Sequence, residues 1–164
     1  MFLVKDASSN REQRIKQLSN EDPALAELLA IIHFEWTVRR AIIALGTSSN
    51  YEIRQALEQC HGLKRYKELW KKEVVQGGLD KASPVTHKSL NTVISYWEGL
   101  IKAFDLRHRL VHGVGSCSTE YAIERLGWAI VAAGDVRTYC LDYNINIDAR
   151  LPVRRRVTIS QSGM

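Results

Sequence analysis

Along most of this chain apolar residues recur at three- and four-residue steps, the spacing of amphipathic helices. The clearest stretch opens at Asn20-Glu21-Asp22-Pro23, where a capping side chain precedes a proline suited to a first helical turn. Leu25, Leu28, Leu29, Ile32, Trp36 and Ile43 follow on one stripe, and Gly46 is the natural stop. Ile31, Phe34, Val38, Ile42 and Leu45 widen the stripe, so this helix is expected to lie centrally in the core. Before it, Ser8 or Ser9 can cap a short helix carrying Ile15 and Leu18. After it, Ser49 or Asn50 starts a helical stretch through Tyr51, Ile53 and Leu57 that ends near Gly62.

The segment Lys64–Lys72 then mixes cations with aromatic rings and runs to Gly77-Gly78, which is expected to break it. The stretch from Leu79 to Val85, with Ser83-Pro84, reads as a loop. Thr86 is expected to cap one long helix carrying Leu90, Val93, Ile94, Trp97, Leu100, Ile101, Phe104 and Leu110. Beyond Gly113 and Gly115, the polar run from Ser116 to Glu120 begins a last helix with Ile123, Leu126, Ile130, Val131, Val136 and Leu141, fading over Asn144–Asp148. The predicted fold is all-α: a bundle of four or five helices over residues 1–148, followed by a basic irregular tail over residues 149–164.

Composition adjusts this picture only slightly. A chain of 164 residues that is 45% hydrophobic has room for one domain with a real core. Its apolar runs fall short of the roughly 20 residues needed to cross a bilayer. The apolar patch at Met1–Val4 is too short for a signal peptide. Cys60, Cys117 and Cys140 are an odd number at unpatterned spacings, which argues against a disulfide framework and makes a reducing cytoplasm the expected home.

Charge adds more. The formal net charge is +5, and the segment from Ala149 onward holds Arg150, Arg154, Arg155 and Arg156 with no acidic residue. Most of the excess therefore sits in the tail, and the body is close to neutral. Lys64, Arg65, Lys67, Trp70, Lys71 and Lys72, with Arg154, Arg155 and Arg156, are the candidate RNA-binding residues, since cations hold phosphates while rings stack on bases. The same charges also fit a solvated helix face and a free tail. Trp36, Trp97 and Trp128 sit in helical stripes and read as core, whereas Trp70 lies among cations.

The segment Arg107-His108-Arg109-Leu110-Val111-His112-Gly113 carries the candidate chemistry. His112 stands just before a glycine, at the exposed end of a helix. A histidine can take or give a proton near neutrality, and an arginine can clamp a phosphate with two hydrogen bonds. Together they suffice to cut RNA without a metal: the base takes the ribose 2′-hydroxyl proton, the oxygen attacks phosphorus, and arginine neutralises the growing charge. Arg107 and His112 are separated by about 140° around an ideal helix. Either the helix unwinds near Gly113 or two copies of the segment meet across a dimer. Asp105, Arg109 and His112 do share a face, and Asp105 can orient or balance either cation.

Arg107 to His112 resembles the R-x4-6-H motif of the HEPN superfamily (higher eukaryotes and prokaryotes nucleotide-binding), in which a glycine commonly follows the histidine. Where that family often has asparagine or another polar residue after the arginine, this chain has His108. The resemblance implies a compact helical bundle, a homodimer with a composite site, and a metal-independent endoribonuclease leaving a 2′,3′-cyclic phosphate, of the kind found in toxin–antitoxin and defence systems. It implies Arg107 and His112 as catalytic residues, RNA as substrate, no cofactor, and a cognate antitoxin as a possible partner. His108, Arg109 and Asp105 are supporting candidates. Glu35, in the most apolar helix, either pairs with Arg39 four residues on or reaches the site.

Other readings of these residues remain open. His108 and His112 have a spacing that can hold zinc, with Asp105 or Cys117 as a third ligand. Arg107 and Arg109 can serve the helix C-terminus electrostatically, with His112 as a cap. The alternative function is a non-catalytic helical module that binds nucleotides or partners a nucleotidyltransferase or regulator.

Overall fold

The computed structural model describes residues 7–113 and 115–155, and among these every regular element is a helix, without a strand. The elements are α1 (Ser8–Leu18), α2 (Pro23–Leu45), α3 (Asn50–Glu58), α4 (Leu63–Trp70), a π-helical stretch (Lys71–Gln76), α5 (Gly77–Leu79), α6 (Leu90–Val93), α7 (Trp97–Val111) and α8 (Thr119–Asp142).

The centre is α2 lying along α8. Asp22 accepts a hydrogen bond from the Leu25 amide and Pro23 occupies the first turn, so this helix starts where the sequence says it should. Ala26, Ala30 and Ala41 on α2 and Ala122, Ala129 and Ala133 on α8 are buried, and these short side chains let the two backbones approach closely. Ile31, Phe34, Val38 and Ile42 are fully buried on α2, as the widened stripe predicts, but Leu25 and Ile32 stand at the surface. On α8, Leu126, Ile130 and Val136 are buried, while Ile123, Val131 and Leu141 are exposed. Each exposed set lies about 100° or more from the buried alanine line.

Helix α7 packs antiparallel to α8. At its start, the Ser95 amide and hydroxyl both donate to Asp135 (2.8 and 2.7 Å). Near its end, the Arg109 guanidinium lies 5.6 Å from the ring centre of Tyr121. The Ser95 contact corrects the expected single helix from Thr86: Ile94 is extended, with ψ 119°, and the helix is split into α6 and α7. The first of these begins at Leu90, behind Ser89 rather than Thr86.

The Gly77-Gly78 pair does not break its helix either. A Cβ at Gly77 would fall 1.7 Å from the Thr47 hydroxyl, and one at Gly78 would fall 2.7 Å from the Val85 carbonyl oxygen. These glycines let neighbouring chain approach a continuing helix. Within the π-helical stretch, buried Glu73 accepts from the Ser48 amide and hydroxyl (3.0 and 2.8 Å), fixing the turn after α2.

Helix α1 closes the other side through a polar cluster. Arg11, almost fully buried, donates to His33 Nδ1 at 3.3 Å and stacks 3.7 Å from the centre of the Trp36 ring. His33 Nε2 donates to Glu12 at 3.0 Å, and Arg137 pairs with the same carboxylate. Burial raises the Glu12 pKa, but the hydrogen bonds and charges of His33 and Arg137 prevail and hold it below the usual glutamate value.

The described part of the tail is packed rather than free. Leu151 is buried, and Asn50 Nδ2 donates to the Pro152 carbonyl at 2.9 Å. Among the described residues no helix is long and apolar enough to cross a membrane.

Candidate functional site

Leu100, Ala103 and Leu106 bury one face of α7, which leaves Arg107 at the margin of the core and His108 and Arg109 exposed. The helix ends at Val111, with His112 exposed at its cap and donating its amide to the His108 carbonyl at 3.1 Å. Gly113 takes a φ of 66°, a left-handed conformation that costs a side-chain-bearing residue and here turns the chain away. The rings of His108 and His112 lie 4.3 Å apart.

Arg107 is held from below. Its Nη2 lies 3.7 Å from Glu35 Oε2. The Tyr66 hydroxyl donates to the other Glu35 oxygen at 3.3 Å, and Arg39 Nε donates to that hydroxyl at 2.8 Å. Of the two fates open to Glu35, the carboxylate thus reaches Arg107, and Arg39 connects to it through Tyr66. Burial and the adjacent Glu35 carboxylate push the Tyr66 phenol up to about 12, so it serves as a neutral donor.

A second carboxylate lies deeper. Glu27 is fully buried, neither of its oxygens has a hydrogen-bond partner, and the charges of Arg107 and Arg125 act on it. Burial pushes its pKa up to about 8 despite both arginines. Near neutrality it therefore keeps its proton, and Arg107 faces one charged carboxylate, not two. Arg125 is itself buried, with its guanidinium carbon 3.2 Å from the centre of the Tyr121 ring.

Beside this cluster, α4 and α7 frame a cleft of about 610 Å3 lined by Arg107, His108, Asp105, Lys64, Lys67 and Trp97, among others. His112 and Arg109 do not line it. The side chains of the motif thus part into two groups, with Arg107, His108 and Asp105 on the cleft and His112 and Arg109 beyond it.

No family model, curated sequence or solved structure matches the chain.

The candidate RNA-binding residues also divide. Lys64, Arg65, Lys67, Lys71 and Lys72 are exposed along α4 and the turn after it, with Arg65 paired to Glu68 at 3.2 Å. Trp70 is not available for stacking: it is fully buried and donates Nε1 to the Lys88 carbonyl at 2.9 Å. Leu63, Tyr66 and Trp70 form the buried side of α4, and the cations occupy its other side. Trp97, expected in the core, is partly exposed on the cleft with the Lys67 ammonium 5.7 Å from its ring centre.

Arg154 is likewise committed elsewhere, capping carbonyls left open at the end of α2. Its guanidinium donates to the carbonyls of Ile43, Ala44 and Ser48. Arg155 is exposed, and Arg156 lies outside the described residues. Among the described residues no group of three His, Cys, Asp or Glu side chains is placed to hold a metal, so the zinc reading of His108 and His112 finds no third ligand there.

Sequence reasoning missed Glu27, Tyr66, Arg125 and Trp97. Glu27 had a usable signal, since it stands four residues before Ile31 and seven before Phe34, in the buried register of α2. The others depend on which helices meet.

Proposed function

We propose that this protein is a metal-independent endoribonuclease of the HEPN type, with a site shared between two copies of the chain. The observation that carries the reading is the placement of Arg107. It stands at the edge of a basic cleft, oriented by Glu35, while His112 lies exposed at the end of the same helix and off that cleft. Five residues apart, the two side chains leave an ideal helix about 140° from each other, which favours a site that draws them from two copies. Two copies related by a two-fold axis can set the His112 of each toward the Arg107 of the other.

Exposed apolar side chains on the same two helices support such pairing. Leu25 and Ile32 lie on the face of α2 that carries Glu35, and Val111 lies one turn beyond Arg107 on α7; all three are exposed. In the reaction, one histidine takes the 2′-hydroxyl proton and the 2′-oxygen bonds to phosphorus. The phosphorus–O5′ bond then breaks, and the leaving oxygen acquires a proton. The products are a 2′,3′-cyclic phosphate and a 5′-hydroxyl. Arg107 neutralises the phosphate oxygens, and His108 and Asp105 line the approach. A toxin or defence effector acting on RNA in the cytoplasm, restrained by a cognate antitoxin, is the biological role this chemistry suits.

The test is purified protein incubated with RNA in EDTA. Cleavage by the wild type that is lost in Arg107→Ala and His112→Ala supports the proposal, and intact RNA or equal cleavage by His112→Ala refutes it. The second reading, a helical module that binds nucleotides without turning them over, draws on the absence of His112 from the cleft lining. It predicts binding with no cleavage in the same assay.

A further inference from the structure

We infer that the cleft between α4 and α7 is a subsite for one unpaired nucleotide of a single-stranded RNA, with the base against Trp97 and the flanking phosphates on Lys64 and Lys67. The inference rests on RNA being the substrate, as proposed above, and adds where the strand is read.

Three features point to this ligand. The volume, about 610 Å3, falls within the roughly 300–1,000 Å3 typical of small-molecule pockets. The walls are of two kinds. Trp97, Ile101, Phe104 and Leu63 supply an apolar surface, while Lys64 and Lys67 supply positive charge near the carboxylate of Asp105, and Arg107, paired with Glu35, adds a third cation. A purely apolar ligand would leave the cationic wall unused, and a simple anion would leave the ring surface wet. A nucleotide satisfies both.

The third feature is the pairing of Trp97 with Lys67. The ammonium is 5.7 Å from the ring centre, so cation and aromatic face arrive as a unit, one suited to phosphate and the other to a base. Trp97 opens α7 and Arg107 lies ten residues further along the same helix, so a strand seated on Trp97 and following α7 leads toward Arg107. Duplex RNA does not fit this arrangement, because its bases are stacked on one another and closed to a protein ring.

The experiment separates binding from cutting. The probe is a short 2′-O-methyl oligoribonucleotide, which lacks the attacking hydroxyl, titrated into the full chain and read by fluorescence anisotropy. Wild type is expected to bind the single strand and to bind the same sequence poorly as a duplex. Trp97→Ala is expected to weaken binding about ten-fold or more, and Trp97→Phe to stay within a few-fold of wild type, because base stacking carries the contact. Lys67→Glu, at an exposed position, gives the check if Trp97→Ala misfolds; it is expected to weaken binding and flatten its salt dependence. No binding by wild type, equal affinity for duplex, or unchanged affinity in folded Trp97→Ala and in Lys67→Glu overturns the inference. Binding that depends on Trp97 in a protein that never cuts RNA would remove the nuclease reading and leave the subsite standing. Cutting with an unaltered KM in both cleft variants would do the reverse.

Discussion

The substitution Glu27→Gln keeps the shape of a buried side chain and removes its proton equilibrium. In the folded protein the Glu27 pKa is raised to about 8 from an ordinary 4.5, chiefly by burial. Below the lower value both folded and unfolded chains carry the proton. Between the two, the unfolded chain has released it and the folded one has not, so the folded state binds more protons and its stability falls as pH rises. Each pH unit within that window costs about 1.4 kcal/mol, so the loss from about pH 5 to pH 8 is on the order of 3 kcal/mol. Above the folded value both states are ionised and the penalty is constant. The assay is urea unfolding of wild type and Glu27→Gln across this range, read as the difference between them at each pH, so that all other titrating groups cancel. A buried amide without partners adds a fixed offset, and only the slope is diagnostic. The variant is expected to gain on wild type as pH rises. A difference that stays constant within about 0.5 kcal/mol refutes the reasoning, because Glu27 would then ionise as easily inside as outside.

Other consequences follow from the same geometry. Mixing Arg107→Ala with His112→Ala protein is expected to restore RNA cleavage above that of either variant alone, since a mixed dimer recovers one intact Arg107 and one intact His112; a site contained in one chain gives no recovery. Glu35→Gln is expected to weaken the hold on Arg107, raising KM for RNA several-fold while leaving thermal unfolding within a few degrees of wild type, as suits a half-exposed pair. Arg154→Met is expected to destabilise the fold by about 2 kcal/mol in urea, because it strips charged donors from carbonyls at the end of α2, and to leave RNA affinity unchanged. Gly113→Ala forces a side chain into a left-handed backbone position at a cost of about 1 kcal/mol, measurable as a lowered unfolding midpoint.

What the sequence discloses and what it withholds can be sorted by the range of the contacts involved. The start of α2 is legible because Asp22 and Pro23 act on their own turn. The split between α6 and α7 is not, because it is made by Asp135, forty residues away, drawing the Ser95 amide out of a helical ladder. Charge shows the same division. Arg154, Arg125 and Arg11 count toward the basic total, yet their guanidinium groups are engaged with α2 carbonyls, the Tyr121 ring and His33 respectively. Such guanidinium groups are not free to clamp an outside phosphate, because their donors and faces are taken up by internal partners. Lys64 and Lys67 on α4 do face outward near the motif, and they line a cleft whose aromatic wall comes from α7. Net charge alone therefore does not tell where along the chain the outward-facing cations gather. The tail holds four arginines in a row of seven residues, whereas the proposed nucleotide subsite lies where Lys64 and Lys67 meet Trp97, next to Arg107.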